Sequence, residues 1–473
     1  MAILASEDNP TVSPDQRKWP REFKAYACLL GGFLLMFNSW GIVNSFGTYA
    51  SEYKTELLPN YDNLLFNLVG STECFIILLL SAPVGRLLDA NHSRVLIVAG
   101  TCLLGSGSFL LSLVDGDSGK EHGCYGIIWL TQGLINGLGM GCFFVTSSQV
   151  VATWFYNKRG TAIGMVAAGA SVAGLIYPLM FRMLTSKIGF NNAQRYVSTL
   201  TVLTCMLAIF IARPKSSHPW RTDVQWRSLG TYWDTGAFRN RSFLWLTIAI
   251  CCLFFGFYPV FFSLEEWAFQ NKLGYRAGPE NSALKGALQT WLLLSIMNIS
   301  STFGRLVSSF LSDHMGALKV HAFVTFIGAA LAGIFWPFVT TVNAAICFVV
   351  FFGIFSGSVI GLPPASVAYI LGHEHQDKLG QWVGMMYSCA ALFALTGPLI
   401  AGHMVTQFNT FMAVQAWSGC CLFLSACCMI VSLCCLKTSR NHMDQKIRSF
   451  QSDCSTPTPE KTNIRSGMAA GRL

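Results

Sequence analysis

Charge is what this sequence lacks. Of its 473 residues, 12% are Asp, Glu, Lys or Arg, about half the share of a soluble domain, while 52% are hydrophobic. A soluble core of that size would have no polar surface to cover it, which excludes an ordinary globular protein. No GxxxxGK[ST] loop occurs, so direct coupling to ATP by that route is excluded. No nucleophile–base pattern marks an enzyme, and no Cys/His spacing marks a metal centre, so no cofactor is expected. The HEH triplet at 373–375 has no further ligand at metal spacing and reads as a solvated loop. The 17 cysteines lie almost entirely in apolar runs, where a thiol acts as a small hydrophobe. The net charge of +9 is spread along the chain, which argues against a nucleic-acid partner.

Long apolar runs are what is there. A membrane span needs about 20 mostly apolar residues. Twelve runs qualify: roughly 25–48, 62–84, 94–114, 124–147, 160–184, 194–213, 242–264, 284–311, 319–340, 343–369, 379–404 and 411–436. The run from Ala25 is too long for the core of a signal peptide and reads as the first span. The expected class is therefore an all-α membrane protein of twelve transmembrane helices in two six-helix bundles. Its segments are a polar tail at 1–24, a first bundle at 25–213, a central loop at 214–241, a second bundle at 242–436 and a disordered tail at 437–473.

Lys and Arg mark the cytoplasmic side of a membrane protein. With the N-terminus inside, twenty-three of the 32 basic residues fall on that side and eight outside, including Lys54 and Arg182. Arg305 alone is left without an aqueous compartment. Both termini are thus expected in the cytoplasm, with the cell membrane as the default location in the absence of a retention signal.

The two halves repeat. Gly160, Gly164 and Pro178 of the fifth span recur 220 residues later as Gly380, Gly384 and Pro398 of the eleventh. Gly137 and Gly141 match Gly353 and Gly357 at an offset of 216, and Asp89 matches Asp313 at 224. Parallel six-plus-six repeats fit two bundles rocking about a site near the bilayer midplane.

The segment GRLLDANHSR (85–94) resembles the signature that major facilitator transporters carry between spans two and three. Gly85, Asp89 and Arg94 match; His92 and Ser93 replace a Gly and a basic residue. A second copy, SFLSDHMG, keeps Asp313 and Gly316 but has Ser309 where Gly is usual. SWGIVNSFGTY (39–49), ATWFYNKRGTAIGM (152–165), NISSTFGR (298–305) and LTGPLIAG (395–402) further resemble the fungal branch of the monocarboxylate-porter family. The resemblance implies a gate in which Asp89 meets the start of the eleventh span near Gly380, and Asp313 meets the start of the fifth near Arg159 and Gly160, with Arg94 in the same signature. Each aspartate would face the positive end of a neighbouring helix. Two residues of the animal lactate-type porters are missing: their Asp is replaced by Ser301 and their first-span Lys by Asn44. Proton-coupled lactate transport is therefore not carried over.

Arg305 lies eight residues before Asp313, about 12 Å along a helix, which puts it near the middle of a core about 30 Å thick. Intramembrane arginines are costly and normally face a bundle interior, and a guanidinium there could hold a carboxylate bidentately. The alternative is a structural role on helix carbonyls. Glu73 is read as the one carboxylate inside a span, about 24 Å from the Asp89 end. A desolvated carboxyl holds its proton more firmly, which suits proton coupling; hydration at the outer mouth is the competing reading. Asn298, Asn44, Asn38 and Tyr258 complete the candidate solute contacts, although each alone is as well explained by interhelical hydrogen bonding. Cys420, Cys427 and Cys434 recur every seven residues as a packing stripe, and Thr456 and Thr458 precede prolines as phosphorylation candidates.

These features point to a secondary transporter of a small organic solute, such as a monocarboxylate-like anion, working by alternating access with proton coupling. Its partners are the solute, protons and the bilayer, with a monomer as the default state. Export of a fungal metabolite is the alternative, and a receptor-like protein that keeps the fold without transporting is a remote one.

Overall fold

A computed structural model describes residues 19–114, 123–155, 158–216, 232–275, 288–372, 378–408 and 410–455. The HEH triplet, Thr456 and Thr458 lie outside these.

The described residues are almost wholly helical. Ten helices are long and apolar enough to cross a membrane, and two physical details bring the number of crossings to twelve. The helix Arg159–Ile211 has 53 residues, about 80 Å at 1.5 Å per residue against a hydrocarbon core of about 30 Å, and it holds a non-helical break at Gly189 (φ 78°, ψ 169°). It is the fifth and sixth spans joined. The helix Thr290–Met315 is the eighth span, and its serines, Asn298, Arg305 and Asp313 dilute its hydropathy. Most of them, Asn298, Ser301, Arg305 and Ser309 included, are buried against other helices rather than facing lipid.

Helices at membrane depth break where side chains re-satisfy the backbone. The first span stops at Phe37 and restarts at Trp40. Across the gap Asn38 Nδ2 donates to the Leu34 carbonyl at 2.9 Å, and Ser39 Oγ to the Met140 carbonyl at 3.1 Å. The second span is split into Asn63–Leu79 and Ser81–Asp89. There Ser388 Oγ of the eleventh span, Leu379–Phe408, accepts from the Ala82 N–H at 3.1 Å and donates to the Leu79 carbonyl at 2.9 Å. In the fourth span a wide π turn, Trp129–Asn136, precedes Gly137–Ala152. Such bulges commonly mark functional positions.

Two expectations shift. The seventh span runs from Arg241 to Gln270, so Glu265 and Glu266 join Glu73 as carboxylates on membrane helices, as does Glu52 at the end of Trp40–Glu52. The last helix, Met412–Ser455, continues past Leu436 through residues expected to be disordered. On this extension Arg440 docks on Tyr369, with Nη2 3.1 Å from the Tyr369 carbonyl and the guanidinium 4.8 Å from the ring centre.

Candidate functional site

The fifth and eighth spans run antiparallel along a seam between the halves. Asn298 Nδ2 donates to the Gly174 carbonyl at 3.3 Å, and Ser301 Oγ lies 2.9 Å from Ser171 Oγ. Arg305 Nη1 donates to the Ala167 carbonyl, and its Nε to Ser301 Oγ at 3.3 Å. Asp313 ends the series: Gly160 N–H donates to one carboxylate oxygen at 2.9 Å, while Thr161 N–H and hydroxyl donate to the other at 3.0 and 2.6 Å. On both helices the contacts step by three or four residues, which keeps them on one face. A Cβ on Gly164 would sit 2.1 Å from Ser309 Oγ. The serine in the second signature copy thus fills the room that Gly164 leaves.

The second and eleventh spans form a related seam. Gln381 N–H donates to Asp89 at 3.0 Å, and a Cβ on Gly380 would lie 2.4 Å from the same carboxylate. Gly384 packs against the Ser81 carbonyl, and Asn67 Nδ2 donates to the Pro398 carbonyl at 3.3 Å. Gly160, Gly164, Gly380 and Gly384 therefore mark close approach between the two halves, whereas Gly137 and Gly141 pack on the second span and Gly353 and Gly357 on the eighth, each within its own half. Arg94 is exposed at the start of Ser93–Leu111, and Arg159 Nη2 donates to the Ala152 carbonyl at 3.4 Å.

At the far end of the fifth span the seam changes chemistry. Arg182 is 2.8 Å from Glu52 and 3.5 Å from Glu265, and Lys54 is 3.4 Å from Glu266. Arg182 and Lys54 belong to the first half and both glutamates of the seventh span to the second. Hollows beside these pairs are lined by Glu52, Arg182 and Gln289 on one side and by Lys54, Asn67 and Glu266 on the other.

Glu73 lies inside the first half, fully buried, with neither carboxyl oxygen in a geometrically formed hydrogen bond. The Gln132 amide is the polar group beside it, and Gln132 Oε1 accepts from the Tyr53 hydroxyl. Tyr49 donates to Gln194 at 3.0 Å, which in turn donates to the Ser108 carbonyl at 3.3 Å. This buried polar network is separate from the Arg305 seam.

The remaining candidates divide. Asn38 is saturated by Tyr177, Thr204 and the Leu34 carbonyl, which ties together the broken first span and its neighbours. Asn44 Nδ2 makes a 3.4 Å bond to the Ala170 carbonyl. Tyr258 belongs to a closed set of rings: it stacks on Trp40 at 5.5 Å and 11°, and Trp40 meets Phe144 edge-on at 5.2 Å. Phe144 contacts Tyr387 at 4.7 Å, and Phe254 lies 5.8 Å from Tyr258 and 6.2 Å from Tyr387.

Residues 28–378 match the family model described as Major Facilitator Superfamily. The chain belongs to that superfamily. The superfamily's members are transporters rather than enzymes, and as a member this chain moves a small solute across a membrane. "MFS-type transporter 1" of Ophiocordyceps sp. (strain BCC 1869) is 29% identical over 428 residues, covering 89% of this chain and 88% of that protein. The "Aspyridones efflux protein" of Emericella nidulans is 27% identical over 412 residues, covering 87% and 78%. Among solved structures, a human organic anion transporter (TETRAN) superposes with a TM-score of 0.63 at 13% identity, covering 88% of this chain and all of that one. This last likeness concerns the fold.

Sequence reasoning about this transporter missed Phe144, Phe254 and Tyr387, and the Glu52–Arg182–Glu265 cluster. The rings carry no local signal, because they come from three spans. The cluster had one: SLEEWAFQ places two carboxylates immediately after an apolar run, where a longer helix carries them to the end of a span.

Proposed function

We propose that the chain is a secondary active transporter of a small organic anion, alternating access between its bundles at 25–213 and 242–436. Arg305 supports this reading above all else. It is buried at the seam, 4% exposed, and among the described residues no carboxylate lies within ion-pair distance. Two neutral acceptors use part of its guanidinium fork, leaving donors over. A buried cation without a counter-charge is costly, and an anionic solute would supply that charge while competing with the Ala167 carbonyl. Binding would loosen the seam that must open. Asn298 and Asn44, which bond fifth-span carbonyls, and Tyr258 are the further solute contacts, with Asn38 taken up inside the first bundle, and the Asp89 and Asp313 contacts, with Arg94 and Arg159 nearby, act as the cytoplasmic gate. Glu73 carries the coupling proton. Both termini face the cytoplasm in the cell membrane, and the resemblance to the fungal branch of the monocarboxylate porters favours a carboxylate.

Export of a fungal metabolite is the second reading, favoured by the relative named as an aspyridones efflux protein and by the ring-rich seam. Radiotracer flux into proteoliposomes under an imposed pH gradient tests the proposal. Arg305→Ala should abolish flux of an anionic solute while insertion stays normal; unchanged flux removes Arg305 from the site.

A further inference from the structure

The ring set around Trp40 sits between the bundles. Trp40 and Phe144 come from the first half, Phe254, Tyr258 and Tyr387 from the second. Trp40 starts the second segment of the broken first span, and its face lies parallel to Tyr258 at 11°. Its ring is 1% exposed, yet the indole Nε1–H has no hydrogen-bond partner. A buried tryptophan normally finds one.

Alternating access must separate these faces, since the stack joins one bundle to the other. Parting Trp40 from Tyr258 exposes two apolar π faces. A flat conjugated molecule inserted between them restores both faces. A saturated molecule of equal size is too thick to lie between parallel rings and offers no π face. Arg305, buried on the eighth span of the bundle that carries Tyr258, supplies a cation at the seam for the anionic group.

We propose that the ring set is a substrate site for flat, conjugated organic anions, entered between Trp40 and Tyr258. This deepens the transport reading and rests on it for the identity of the path. The test uses 2-naphthoate and its fully saturated analogue, decahydro-2-naphthoate, with purified full-length protein. Radioligand binding in detergent is measured alongside flux in proteoliposomes. Naphthoate should bind at least about tenfold more tightly than the saturated acid, a difference of the size that stacking supplies. Trp40→Leu and Tyr258→Leu should each bring the ratio close to one. Trp40→Phe should keep most of the ratio, because it retains an aromatic face. Should Trp40→Leu fail to fold, Phe254→Leu carries the test, with a ratio reduced about threefold or more. A ratio near one in the wild type, or a ratio unchanged in every ring variant, overturns the proposal. Selective binding without flux supports the ring site and overturns the transport reading.

Discussion

The two ends of the fifth span close against the other half by different means. At Gly160 the partner is a carboxylate, Asp313, held by backbone N–H groups and one hydroxyl. At Arg182, about 33 Å away along the helix, the partners are side chains of opposite charge. The first arrangement draws on the helix's own terminal N–H groups and positive end, so it needs no particular side chain there and is tightly directional. The second depends on three long side chains, loses entropy when it forms and is screened by salt. The Asp313 end is the firmer latch and the Arg182 end the more easily released one. Because both are engaged in this structure, transport requires that each can open in its turn.

That contrast can be broken deliberately. The largest effect is expected from Asp313→Ala, which removes two backbone caps and a hydroxyl contact together. Initial flux should fall by about tenfold or more, equivalent to about 1.4 kcal/mol, with surface expression retained; flux within twofold of wild type would show that the cap does not control opening. Next, Glu73→Gln should remove accumulation driven by a pH gradient while leaving solute exchange at equal pH near wild type. Retained pH-driven accumulation would take coupling away from Glu73. Arg182→Gln should have a smaller effect, about threefold on flux, with greater reactivity of that face to impermeant reagents. Raising KCl from about 50 to about 500 mM should reproduce that reactivity in the wild type and add little in Arg182→Gln. A salt response of equal size in both would show that the ion pairs do not hold the end closed. Lys54→Gln, which breaks the more exposed Lys54–Glu266 pair, should change flux by less than about twofold.

Much of the seam was legible because periodicity and depth are properties of single helices. The repeat sets Gly160 beside Gly380 and Asp89 beside Asp313 as equivalent positions, the superfamily resemblance implies which aspartate meets which helix start, and contacts at 2.9–3.0 Å join them. Arg305 was picked out because no aqueous compartment could hold it. Its acceptor, the Ala167 carbonyl, was not readable, since a backbone carbonyl in mid-helix looks like every other. The same limit applies to Asn38, whose value as a latch across a broken helix depends on Tyr177 and Thr204 arriving from elsewhere.

By itself the sequence determined the solvent, the number of crossings, the internal repeat and the residues that cannot rest in lipid. Those follow from transfer free energies, which act residue by residue. The tertiary structure decided which buried polar group faces which helix. It also decided that the fifth span is tied at both ends by unlike chemistry, and that five rings from two bundles meet at the seam. Such facts depend on distances between segments far apart in the chain, and no periodicity within one helix encodes them.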